Sequence, residues 1–384
     1  MMLQQAGSVQ LLCLTANSGV PLFTRGASKQ LPFSIIGSLN GVHMFGAGQG
    51  VVLAGCETDR GGRMVWRVFQ DSVMLIAVSS GGGAGEEDLH LRRLLENVWN
   101  CMVLVLGQDE LASLRNVERL KRDLRSCYRL IDQLLEGGQG QEGIMGDLTH
   151  CADCLLPPNA TLLQEGLDGF TQAADSDPTV AHRLLRFQLL PGVDVCVLCG
   201  PSPTLHRAES ELVGCFWSPL LEALRGSLAV GERCLPGSVT LRPDVLALLL
   251  INRESRRSVS CVKAIITNPN HPPSNHPLPS KARCWELLRL FYTFTTTRYF
   301  PLEETPALTL GEKAQRGDSL REDFALGFSH QPLQCYLVTE ECKCFSLQTA
   351  QHQLYLLTPL SVPTFALSSV ATQTLSAITL ATGF

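Results

Sequence analysis

The feature that most restricts the fold is the order in which residue periodicities change along residues 9–137. Val9–Leu14 and Val20–Thr24 flank the turn residues Asn17-Ser18-Gly19, which predicts a β-hairpin. Pro32–Phe45 reads as a helix, and short strands are predicted at Val51–Ala54, Met64–Phe69 and Val73–Val78. Two long helices follow. In the first, Leu91, Leu95, Val98, Met102 and Val105 recur at steps of four and three; in the second, Leu111, Leu114, Val117, Leu120, Leu124, Ile131 and Leu134 form a similar stripe. The order β-β-α-β-β-β-α-α predicts a five-stranded sheet with one helix on one face and two on the other.

Between the last of these strands and the helix that follows it lies a glycine-rich loop, Gly81-Gly82-Gly83-Ala84-Gly85, the layout of a phosphate-binding site. Its chemistry is wrong for that role. No Gly-Lys-Ser/Thr follows, the G-x-G-x-x-G spacing fails at Glu86, and Glu86, Glu87 and Asp88 put three carboxylates where a pyrophosphate would sit. A connection into an acid-capped helix is the expectation, and no cofactor is expected.

Composition narrows the function classes. The 384 residues suffice for two or three domains, and 45% hydrophobic with 17% charged residues describes buried cores. A net charge of −5 disfavours nucleic acid as a partner. The apolar runs Cys101–Leu106 and Val245–Ile251 are too short to cross a bilayer, and the N-terminus has no Lys or Arg before Arg25, so neither a membrane span nor a secretory signal is expected. A soluble, cytoplasmic chain would keep its fifteen cysteines reduced. Two C-x-x-C pairs, Cys151/Cys154 and Cys196/Cys199, suggest zinc on paper, but the second pair lies in a strand-like run where residues three apart face opposite ways. No metal site is expected.

Catalytic constellations are as thin. Gly327-Phe328-Ser329-His330-Gln331 lacks the second glycine of a nucleophile elbow, and His271 and His276 lie in the Pro-rich linker-like segment Asn268–Lys281. No catalytic residues are expected. Arg115, Arg119, Lys121, Arg122, Arg125 and Arg129 give the second long helix a basic face that suits either solvent or an anionic, phosphoinositide-bearing membrane surface; Glu118 and Asp123 interrupt it.

The element order, together with "LPFSIIGSLNGVHMF" (31–45), "LRNVERLKRDLRSCYRLIDQLL" (114–135) and "CGPSP" (199–203), resembles the Fuzzy planar cell polarity effector family, most specifically over residues 9–175. The resemblance implies an α+β fold of tandem longin domains, each a profilin-like α-β-α sandwich, three in the family. It further implies Inturned and a WD-repeat planar polarity effector as partners, a small GTPase of the Rab/Rsg type as the target of exchange, and a place at the ciliary basal body and cytoskeleton. Ciliogenesis, protein transport, planar polarity and Hedgehog signalling are the processes implied.

The later chain is legible against that template. Leu184–Leu189 and Val193–Leu198 predict a hairpin around Pro191-Gly192, and Leu205–Leu228 reads as largely helical. Val245–Ile251, Ser258–Ile266, the helix Trp285–Thr296, strands at Cys335–Val338, Cys344–Leu347 and Leu354–Leu357, and Ser368–Leu380 complete a third unit. The domains expected are 9–137, a partial 161–229, and 240–384 with a Pro-rich loop at 268–281. Only Asp175–Val180 separates the helix Leu162–Ala174 from the middle hairpin, where family members carry the domain's opening strands. A shortened middle domain is expected, with apolar surface left uncovered, as in a splice form or an incomplete gene model.

An exchange factor works by binding the nucleotide-poor GTPase more tightly than the loaded form, so it needs a shaped surface and no reactive side chain. In related longin assemblies, the resemblance implies, the first helices of paired first domains supply that surface. On the matching helix here, Ser34, Gly37, Ser38, Gly41 and Phe45 share one face. Small residues there would admit a partner's backbone; a close helix–sheet contact within the domain would favour the same residues. Both readings stand at this level.

Overall fold

The computed structural model describes residues 9–26, 31–57, 62–79, 86–113, 116–137, 145–174, 183–228, 234–263, 278–300 and 332–384. It divides into two compact units, residues 1–151 with 289–332 and residues 152–288 with 333–384. The glycine-rich loop, Leu114 of the second apolar stripe, Arg115, residues 175–180, His271, His276 and the 327–331 stretch lie outside the described residues.

The first unit opens with β1 (Val9–Thr15) and β2 (Pro21–Gly26), crosses over in α1 (Phe33–Gly48), and returns through β3 (Gly55–Glu57), β4 (Arg63–Phe69) and β5 (Val73–Ser79). The strands pair antiparallel in the order β2-β1-β5-β4-β3. Closing β5 onto β1 buries the central strands on both faces: every side chain from Val73 to Ala77 is fully buried. Strand alternation then sorts residues between two cores. Leu12, Leu14, Trp66, Met74 and Ile76 meet Ile36 and Leu39 of α1, while Leu11, Cys13, Val65, Val73, Leu75 and Ala77 meet the helices of the other face.

Those helices are α2 (Glu86–Leu106), α3 (Gln108–Ala112), α4 (Val117–Asp123) and α5 (Tyr128–Gly137). The second long helix of the sequence reading is therefore in pieces. Ser113 leaves helical geometry, Asn116 restarts the helix by accepting the Arg119 N–H at 2.9 Å, and a 3₁₀ turn over Leu124–Cys127 joins α4 to α5. The apolar stripe survives the breaks: Leu111, Leu120, Leu124 and Ile131 enter one core with Leu91, Leu95, Val98 and Met102, and only Val105 of the first stripe stays exposed. The strand expected at Val51–Ala54 is also displaced. Helix α1 runs on to Gly48 and turns at Gly50 with φ +71°, so Val51–Ala54 is spent on the descent and β3 begins at Gly55. A short α6 (Gly146–Thr149) follows and rests against α2.

In the second unit, β6 (Ala152–Asp153) is followed by α7 (Ala160–Ala173) and the hairpin β7 (Arg183–Leu190) and β8 (Val193–Cys199). The helical stretch 205–228 contains α8 (Leu205–Arg207), a π-helical segment Ala208–Trp217, a 3₁₀ turn Ser218–Leu220 and α9 (Leu221–Leu228). Helix α7 packs closely on this stretch because it carries glycines at the contact. A Cβ at Gly166 would lie 2.2 Å from the Leu220 side chain, and one at Gly169 2.8 Å from the Phe216 ring. Phe170, Leu185, Phe187, Val195, Leu212, Trp217 and Leu220 form the core beneath the hairpin. Its sheet has two strands among the described residues. The apolar surface left in the open is on the hairpin's far face, where the paired Leu184 and Leu198 are 61% and 56% exposed, and at Leu162, Leu167, Leu205 and Leu228 of the helices.

The remaining elements are β9 (Ala247–Asn252), β10 (Arg257–Val262), α10 (Lys281–Arg298), β11 (Gln334–Val338), β12 (Lys343–Gln348), β13 (His352–Thr358) and α11 (Leu367–Thr382). Their sheet runs β11-β12-β13-β9-β10-β6. Apart from the added β6, this is the first sheet's order repeated: a hairpin, a helix, and a three-strand meander whose last strand pairs with the hairpin's first. Val370, Ala371 and Ile378 of α11 cover one face over Leu248, Leu250, Leu354 and Leu356.

Candidate functional site

Helix α1 has an exposed side without formal charge and only a thin buried face. Its sixteen residues, FSIIGSLNGVHMFGAG, include no Asp, Glu, Lys or Arg. Only Ile36, Leu39 and His43 are buried against the sheet. That seating is imperfect, for Asn40 Oδ1, His43 Nδ1 and the Trp66 indole N–H are buried with no hydrogen-bond partner among the described residues.

The outward face carries all five residues singled out from the sequence, Ser34, Gly37, Ser38, Gly41 and Phe45, each exposed. The Ser38 hydroxyl donates back to the Ser34 carbonyl at 2.9 Å, which spends its polarity inside the helix. A Cβ built on Gly37 or Gly41 would meet nothing within 4 Å among the described residues. The close helix–sheet contact that could have explained these glycines is therefore made elsewhere on the helix, and packing within the domain does not call for them.

Sequence reasoning missed the apolar residues around this strip. Phe33 is 78% exposed and Val52 85%, and Ile35, Val42, Met44 and Val51 are exposed as well, beside the 73% exposed Phe45 that the sequence had singled out. Beside Phe33 a groove of about 380 Å³ opens between α1 and the edge strand β2, lined by Pro21, Phe23, Leu31 and Ile36 among others. Together these leave the outward side of α1 and its flanks apolar and without formal charge, the composition of surfaces that serve for binding in other proteins. The signal was available in the sequence as the absence of any formal charge from Leu31 to Gly55.

The other candidates assemble nothing comparable. On α4, Arg119 and Arg122 lie 3.4 and 3.6 Å from Asp123, and Lys121 lies 2.9 Å from Glu118, so the basic face is internally paired there. Cys196 is exposed and Cys199 buried, on opposite sides of β8; Cys151 is buried and Cys154 half-buried. No group of three or more His, Cys, Asp or Glu is arranged for a metal ion among the described residues. No described helix is long and apolar enough to cross a membrane.

Two sheets of the same strand order, the first covered by helices on both faces and the second by α11 on one, define a longin-domain protein. Residues 9–134 match the model of the first longin domain of FUZ, MON1 and HPS1, and residues 244–381 match that of the third. The protein fuzzy homolog of Xenopus tropicalis is 42% identical over 431 aligned positions, covering 97% of this chain and 98% of the relative; the Homo sapiens homolog is 39% identical over 436, with the same coverage. The chain belongs to the Fuzzy family. Because these alignments are longer than the 384 residues present, the relatives carry residues that this chain lacks, and the unmatched middle has only its two-stranded sheet among the described residues.

Proposed function

We propose that this chain is a non-catalytic longin subunit of a ciliogenesis and planar-polarity effector complex. With Inturned it forms a guanine-nucleotide exchange platform for a small GTPase of the Rab/Rsg type at the basal body. The observation that carries this reading is α1: a charge-free helix that exposes Phe33, Val42 and Phe45 beside glycines that packing does not require. Exchange asks for such a surface, since the work is done by tighter binding of the nucleotide-free GTPase and not by bond chemistry. Gly37 and Gly41 let a partner's backbone lie against the helix, and the flanking aromatics supply the buried anchors.

The test is co-purification with Inturned followed by measurement of the release rate of labelled GDP from candidate Rab-type GTPases. Acceleration that is lost in Gly41→Arg supports the reading. A complex that forms normally yet leaves every off-rate unchanged assigns the chain instead to the alternative class, a passive vesicle-trafficking adaptor.

A further inference from the structure

The tip of the β11–β12 hairpin gathers sulfur chemistry that partner binding does not use. Cys342 closes the turn and Cys344 is the second residue of β12, so a spacing of two puts both thiols on one side of the strand. Their Sγ atoms are 3.9 Å apart, and the two residues are 0% and 1% exposed. Thr339 holds the turn: its hydroxyl accepts the N–H groups of Glu341 and Cys342 at 3.2 and 3.0 Å and lies 3.7 Å from Cys342 Sγ. Flanking the sulfurs, Arg283 of α10 grips Glu341 with contacts of 2.7 and 2.9 Å, and both side chains reach solvent, at 38% and 36% exposure. The neighbouring Cys284 is fully buried, and its thiol faces the Pro279 carbonyl at 3.7 Å.

We propose that Cys342 and Cys344 are a peroxide-responsive dithiol that closes to an intramolecular disulfide across Lys343. A disulfide bond is about 2 Å long, so closure asks the two sulfurs to approach by about 2 Å, within reach of side-chain rotation at a turn residue. Cys342 is the nucleophile. The Cys344 S–H donates to it and outweighs the effect of burial, and with help from the Thr339 hydroxyl and Arg283, against the opposing charge of Glu341, its thiol falls to about 7. Cys344 is pushed the other way by the same contact and by burial, and stays a thiol.

The Cys342 thiolate attacks one oxygen of hydrogen peroxide, the O–O bond breaks, and the departing hydroxide takes a proton to become water. Cys342 is then a sulfenic acid. Cys344 sulfur attacks Cys342 Sγ as it gives up its proton, the S–O bond breaks, and the hydroxide leaves with that proton as a second water. Two thiols lose two electrons and two protons, and one peroxide becomes two waters. Burial of both sulfurs keeps out a bulky disulfide oxidant, and a small hydroperoxide enters through local opening of the turn Thr339–Cys342.

The sequence supplies its own assay, because trypsin cuts after Lys343 and separates the two cysteines unless a disulfide joins them. The full chain is treated with hydrogen peroxide at neutral pH, blocked with N-ethylmaleimide, digested without reductant and analysed by mass spectrometry. The expected result is that the peptide ending at Lys343 and the one beginning at Cys344 emerge joined, with fragmentation placing the bond at Cys342 and not at Cys335 of the same peptide, at least about tenfold faster from native protein than from protein unfolded in urea. Cys344→Ser is expected to accumulate dimedone-reactive sulfenic acid at Cys342. Joining no faster in the native protein than in the unfolded one overturns the proposal, as does Cys342 joined to Cys284, or a Cys342 left unmodified in Cys344→Ser.

Discussion

Replacing Glu96 by Gln should destabilise the first unit by about 3 kcal/mol at neutral pH and progressively less in acid. Glu96, on α2, accepts from Arg93 one turn earlier at 2.8 Å, from Nδ1 of His150 just beyond α6 at 2.9 Å, and from Arg67 on β4. Burial alone would raise its carboxyl, but the hydrogen bonds from His150 and Arg93 and the charge of Arg67 prevail and hold it at about 2, against an ordinary 4.5. At roughly 1.4 kcal/mol per pH unit, that displacement is worth about 3 kcal/mol. The side chain is 20% exposed, so solvent screening removes little of it.

The sign is fixed by the direction of the shift. A carboxyl depressed on folding contributes fully above about 4.5, loses its contribution as pH falls towards 2, and contributes nothing below that. Urea unfolding of the parent and Glu96→Gln, followed by circular dichroism, should therefore differ by about 3 kcal/mol at pH 7 and by roughly half of that at pH 3. A gap under about 1 kcal/mol at pH 7, or one that does not narrow in acid, would refute the idea that this network clamps strand, helix and α6 together.

Leu124→Asp puts an unpaired charge where the parent side chain is fully buried, and should remove several kcal/mol, enough to abolish the cooperative melt of the first unit; a retained melting temperature would contradict the assigned core. Gly41→Arg should leave the melting temperature unchanged or slightly raised, since no described residue lies within 4 Å of its Cβ, while the complex with Inturned still forms but no longer accelerates GDP release. Hydrogen exchange should be faster over residues 183–228 than over 9–26 and 62–79, because a two-stranded sheet with one exposed face opens more readily than a five-stranded sheet buried on both; equal protection would show the short middle to be as well folded as the first sheet.

Local pattern determined a great deal here. The hairpin at Asn17-Ser18-Gly19, the helix beginning after Pro32, the apolar stripes of α2 and of α3 to α5, and the second and third sets of strands all follow from periodicities of two and 3.6 and from turn residues. Those signals act over a handful of neighbours, and the sequence carries them whole. It also carried the α1 face, since Ser34, Gly37, Ser38, Gly41 and Phe45 fall on one side of any helix drawn there.

What only the tertiary structure decided is where such pieces stop and what meets across them. The Asn116 cap and the 3₁₀ turn at Leu124 interrupt a stripe that looks continuous, because burial depends on which face is apolar and not on an unbroken backbone. Strand β3 slides to Gly55 because the end of α1 and the partner strand β4 fix where the chain reaches the sheet. Arg67, Arg93, Glu96 and His150 become one polar cluster, and the Arg283–Glu341 clamp comes to lie beside the Cys342 and Cys344 thiols, through packing between elements far apart in the chain. Only the three-dimensional fold showed that Gly37 and Gly41 face away from the sheet and lie open, since a helix's own periodicity places residues on a face without saying what that face touches.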